Sequence, residues 1–219
     1  MTTMNGWPDA TAGMVVRVTV GGDKDGCEVL RGDVDTVLTE FMRRFHDQVE
    51  PIVTASGWRS RAFNASIGGH VQSNHISGTA VDLNGSWHPY EKTARVWTSG
   101  FTAAQIAEVR KILADFDGVI RWGLDFPSPL RDGMHFEINV PPGSGRVATL
   151  ARKIRQSRKA DDMAELTDAQ IEKIADRVAA KVWGYKNPKV SGGDRDVYAI
   201  VRSTKSDTEH LVVESRKGD

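Results

Sequence analysis

Hydrophobic and polar positions change period several times along the chain. Met14-Val15-Val16-Arg17-Val18-Thr19-Val20 alternates as a strand does, inside a turn-rich stretch from Gly6 to Gly26. Val34, Val37, Leu38, Phe41, Met42, Phe45 and Val49 then recur at helical spacing, with Asp33 or Asp35 as the cap and Pro51 as the stop. Ile52 to Arg59 reads as a strand entering a turn. Thr102-Ala103-Ala104-Gln105 is a capping box ahead of Ile106, Val109, Ile112, Leu113 and Phe116, the stripe of a second helix that Asp117-Gly118 ends. Val119 to Trp122 and Met134 to Val140 read as two further strands.

The pattern changes after Pro141-Pro142-Gly143. Arg146, Arg152, Lys153, Arg155, Arg158 and Lys159 precede the next acid, Asp161, and read as a basic linker or solvated helix face. A second capping box at Thr167 opens a helix from Asp168 to Trp183, with Ile171, Ile174, Val178 and Val182 as a narrow stripe. The expected organisation is therefore a main domain over 1–145, a basic linker over 146–165 and a helical C-terminal region over 166–219.

Candidate chemistry lies in "SNHISGTAVDLNG", residues 73–85. His75 and Asp82 offer a nitrogen and an oxygen, and a catalytic zinc wants one more protein ligand and an open position. His135, in "RDGMHFEINV", is the natural third. Strand alternation puts His135 and Glu137 on one face while Phe136 and Ile138 enter the core, and it turns Asp82 away from Val81 and Leu83. Asp132, three residues before His135 and followed by Gly133, reaches the metal's neighbourhood without binding it, as a general base should. Arg59, in the turn "SGWRSR", is the candidate cation for a developing oxyanion. The remaining histidines, His46, His70, His88 and His210, read as structural.

Bulk properties narrow the function further. Lysine plus arginine (29) equals aspartate plus glutamate (29), so no net field draws the chain to nucleic acid or an anionic membrane. A single cysteine, Cys27, rules out an internal disulfide. No apolar run approaches the roughly 20 residues that span a bilayer. The N-terminus has no basic segment followed by an apolar one, so no signal peptide is expected and the chain is expected in a cytoplasm until something releases it.

The motifs Ser73-x-His75-x-x-Gly78-x-Ala80-x-Asp82 and Asp132-x-x-His135-Phe136-Glu137 resemble the signature of the M15 family of zinc peptidases. That family includes D-alanyl-D-alanine carboxypeptidases and L-alanyl-D-glutamate endopeptidases. "SGWRSR" resembles the family's Ser-Gly-Tyr-Arg-Ser segment, with Trp58 in place of tyrosine, and the resemblance covers roughly residues 30 to 140. "NGWP" and "FTAAQIAEVRKILADFDGVIRWGLDF" further resemble endolysins of phages that infect actinobacteria. The resemblance implies an α+β fold, a small antiparallel sheet with helices packed on it and the metal at its open face, which agrees with the helices and strands read above. It implies zinc held by His75, Asp82 and His135, Asp132 as general base and acid, Arg59 polarising the carbonyl, and Ser73 lining the substrate cleft. It implies peptidoglycan as substrate, cut between L-alanine and D-glutamate to lyse a host cell, because Asp132 stands where carboxypeptidases carry glutamate. Beside such an enzyme, the helical C-terminal region is expected to serve oligomerisation or cell-wall targeting. Two other functions remain open at this point: a D-Ala-D-Ala carboxypeptidase, and a wall-binding or assembly module without catalysis.

Overall fold

A computed structural model describes residues 1–23 and 25–164, together with Gln170, Ile171, Lys173, Ile174 and Arg177. The chain divides into two compact units, Met1–Ile154 and Arg155–Asp219. The first carries an α+β fold. Strands β1 (Val15–Val18) and β2 (Cys27–Leu30) form an antiparallel pair. Helix α1 (Asp33–Gln48), strand β3 (Ala55–Ser56), helix α2 (Arg61–Ser66) and strand β4 (Ala80–Leu83) follow. Helix α3 (Ala103–Asp115), strand β5 (Ile120–Trp122), strand β6 (His135–Ile138) and helix α4 (Arg146–Ala164) complete the described part. The main sheet is antiparallel throughout, in the order β3-β4-β6-β5.

α1 is the core's spine. Its stripe of Val34, Val37, Leu38, Phe41, Met42 and Phe45 is buried, against the face of the sheet that carries Val81, Leu83, Phe136 and Ile138. The Phe136 ring lies 4.6 Å from Phe41 and 5.6 Å from Phe45, and it stacks on Trp122. Sealing one face of the sheet this way leaves the other face for polar side chains, which is where the functional groups sit. Gly32 is the N-cap residue, and of the two expected caps Asp35 closes the helix start, its carboxylate accepting the Gly32 N–H at 2.8 Å.

Four elements differ from the sequence expectation. The strand expected from Ile52 to Arg59 shrinks to Ala55–Ser56, because the Asn84 side-chain oxygen accepts the backbone N–H groups of Val53 and Thr54 (2.9 and 3.3 Å). β2 and α2 were not expected: four residues are too few to display alternation, and α2 has no apolar stripe, since Phe63 is exposed and only Asn64 is buried. The stretch expected as a basic linker is helix α4, and the boundary expected at residue 145 is corrected with it. Val147 and Ala151 are buried in the core of the first unit, with Leu150 and Ile154 packed against it. The basic residues read as a linker are the solvent side of a helix whose other side has apolar residues at 147, 150, 151 and 154. Most of the expected helix Asp168–Trp183, and His210, lie outside the described residues. Within those residues no helix is long and apolar enough to cross a membrane.

Candidate metal centre

The register of the sheet builds the site. β4 and β6 pair so that Asp82 stands directly opposite His135. Directly opposed residues of antiparallel strands project from the same face, and here it is the face turned away from α1. His75 comes from the loop before β4, a succession of turns closed by Ser73 O with Ile76 N, His75 O with Gly78 N, and Asn74 O with Thr79 N. Gly78 is required twice over. Its φ is +67°, and a Cβ there would sit 2.8 Å from the Leu30 backbone nitrogen.

Three atoms then converge. His75 Nε2 lies 3.0 Å from Asp82 Oδ1 and 3.2 Å from His135 Nδ1, and His135 Nδ1 lies 2.9 Å from the same Asp82 oxygen. The far nitrogen of each ring already faces an acceptor: His75 Nδ1 faces the Gly57 carbonyl at 2.7 Å, and His135 Nε2 faces the Glu137 carboxylate at 2.9 Å. Bonds of that kind place the protons on the far nitrogens and leave lone pairs on the near ones. Two lone pairs and a carboxylate oxygen at such separations are reconciled by a positive charge among them. A proton on His135 is one such charge. Burial pulls that imidazole's pKa down, but its bonds to Asp82 and Glu137 push it up to about 10. Burial raises the Asp82 carboxyl, yet the two imidazoles hold it well below the ordinary range. A metal ion is the other. A tetrahedral zinc with ligands at about 2.0–2.1 Å keeps them roughly 3.3 Å apart, close to the spacing found, and two imidazoles with one carboxylate suit zinc chemically. His75, Asp82 and His135 form the group of metal-competent side chains among the described residues.

The sequence profile described as Peptidase M15 matches residues 14–113. That segment belongs to the M15 peptidases. The match takes in Arg59, Ser73, His75 and Asp82 and ends before Asp132 and His135, which the fold brings to the same place. Among solved structures, the chain is similar to the L-Ala D-Glu endopeptidase ChiX of Serratia marcescens, at 22% identity and a TM-score of 0.33, covering 48% of this chain and 77% of that one. No curated protein matches it.

Around the three convergent atoms, the fold arranges the other expected residues differently from one another. Asp132 precedes β6, its backbone N–H donating to Gly123 O and its carbonyl accepting from His135 N. Its Oδ1 is buried without a hydrogen-bond partner. Burial raises this carboxyl to about 6; Asp82 adds to the rise, while His135 and Arg59 oppose it. A poorly solvated carboxylate with an uncommitted oxygen is poised to take a proton. Arg59 donates through Nη2 to Asp82 Oδ2 and, at 3.1 Å, to Ser56 Oγ. The arginine expected at the substrate carbonyl is thus also clamped on the outer oxygen of Asp82. Ser73 is half-buried, and its Oγ accepts the His75 N–H at 3.4 Å.

Two residues with no sequence-assigned role stand behind His135. Glu137 is 3% exposed and Asn74 2%. Glu137's place two positions along the strand from His135 is the signal that could have found it. Asn74 carried none, because its partner lies 63 residues away. His88 and His46 are structural, as expected: His88 is buried between Glu50 and Ser99 O and stacks on Phe101, and His46 Nδ1 accepts the Ile52 N–H.

Proposed function

We propose that this protein is an M15-type, zinc-dependent endopeptidase of peptidoglycan stem peptides, cutting between L-alanine and D-glutamate as a phage endolysin. The reading rests on one observation, the convergence of His75 Nε2, Asp82 Oδ1 and His135 Nδ1 beside the unpartnered oxygen of Asp132. His75, Asp82 and His135 would hold the ion. Zinc bound there supplies a Lewis acid for the scissile carbonyl and lowers the pKa of water toward about 7. Asp132 takes the proton of the attacking water and returns it to the leaving amine. Arg59, fixed by Asp82 and Ser56, stabilises negative charge that develops on the carbonyl oxygen. The chain would accumulate in the host cytoplasm and reach the wall when another protein opens the membrane.

A D-Ala-D-Ala carboxypeptidase needs a cation for its substrate's terminal carboxylate near Ser73. Arg61 is the nearest such residue in sequence, and its fork is committed to both oxygens of Asp9 at 2.7 Å. That observation favours the endopeptidase. Digestion of purified peptidoglycan followed by mass spectrometry tests the choice. New D-glutamate amino termini support the proposal, and released free D-alanine supports the carboxypeptidase. Sedimentation with the wall without new termini would leave a binding module.

A further inference from the structure

The Glu137 carboxylate is nearly sealed from water, yet both oxygens are engaged. Oε2 faces His135 Nε2 at 2.9 Å and accepts from Asn74 Nδ2 at 2.6 Å. Oε1 accepts from Arg121 Nε at 2.9 Å and also from Arg121 Nη2. Register explains the meeting: Arg121 on β5 is directly opposite Glu137 on β6, as Asp82 on β4 is opposite His135. Asn74 is oriented in turn, because its Oδ1 accepts the Asn5 backbone N–H at 3.1 Å. Asn5 is anchored to Thr79 Oγ1 (2.8 Å) and to the β6 carbonyl of Ile138 (2.9 Å). A buried carboxylate costs desolvation that apolar packing would avoid, so ion pairing alone is a weak reason for one here.

We propose that Glu137, held by Arg121 and Asn74, is a positioning residue that fixes the His135 ring with Nδ1 turned to the metal. The inference rests on the zinc reading above. Glu137 does not touch substrate. It holds a proton at His135 Nε2, which keeps the Nδ1 lone pair free, and it prevents the ring from flipping. Asn74 ties this carboxylate to the N-terminal segment, so the first residues of the chain brace the metal site as well as the sheet.

Partners of this kind affect metal affinity about 10–100-fold. Zinc affinity is measured by competition with a chromophoric chelator for the wild type, Glu137→Gln, Arg121→Met and Arg121→Lys, with the melting temperature of each metal-free protein alongside. Wild type that binds no zinc ends both readings. If the wild type binds, Glu137→Gln should bind 10- to 100-fold more weakly with metal-free melting unchanged, Arg121→Met should lose less, and Arg121→Lys should recover part of that loss. Wild-type affinity in Glu137→Gln overturns the positioning role alone, whichever way melting moves. Should Glu137→Gln fail to fold, or bind zinc more weakly with its metal-free melting also lowered, Arg121→Met decides, since its side chain is partly solvent-exposed: weaker zinc binding supports the proposal and unchanged binding overturns it.

Discussion

Asp82 turns Oδ1 to the two imidazoles and gives Oδ2 to Arg59. One carboxylate thus connects the metal-competent cluster to the cation expected at the scissile carbonyl, and a change at Arg59 should be felt at both. Arg59→Lys keeps the charge but not the planar fork. Turnover is expected to fall about 10²–10³-fold, and zinc should dissociate more readily under chelator challenge. Slow turnover with wild-type zinc retention would confine Arg59 to the carbonyl, while wild-type turnover would remove it from the reaction.

The purified protein is expected to carry about one zinc per chain. His75→Ala, Asp82→Ala and His135→Ala should each lose both the metal and hydrolysis, because two remaining ligands hold zinc poorly. Elemental analysis beside a hydrolysis assay checks this. Full activity of a metal-free preparation would falsify the zinc assignment.

Asp132→Asn should keep the metal and lose on the order of 10²–10⁴ in rate. A general base works only when ionised, so activity should fall as pH drops through its pKa. Burial and Asp82 raise that pKa to about 6, and a bound cation lowers it again, which puts the acid limb of kcat/KM at or below about pH 6. The limb should disappear from the residual activity of Asp132→Asn. Loss of zinc in that variant would mean that Asp82 and Asp132 had exchanged roles.

Truncation should be sensitive to the place of the cut. Ending the chain at residue 145 removes Val147 and Ala151 from the core, and the valine alone accounts for about 1.5–3 kcal/mol of burial. Ending it after Ile154 keeps them. Urea unfolding should show a clear loss of stability for the shorter form only, and the longer form should hydrolyse soluble wall fragments like the full chain. Self-association through the segment 168–183 remains a proposal. Light scattering should then give a lower mass for the longer truncation than for the full chain, whereas equal masses and equal lysis of whole cells would dismiss it.

Sequence alone determined whatever depends on near neighbours. The α1 and α3 stripes, the capping box at Thr102 and the strands around Asp82 and His135 are local periodicities, and each stands within a few residues of its expected place. The choice of His75, Asp82, Asp132 and His135 as candidates was equally legible, because ligand chemistry and short spacings are written in residue types. What only the tertiary structure decided depends on pairing between distant segments. Strand register sets Asp82 against His135, 53 residues on. The same register sets Arg121 against Glu137 and buries a carboxylate that alternation had merely placed on the right face. The clamp of Arg59 on Asp82, the bond from Asn74 to Glu137 and the docking of Val147 and Ala151 likewise leave no period in the chain. They arise when separate elements pack against one another, since a contact between residues far apart in sequence is fixed by the fold's geometry and by no local preference.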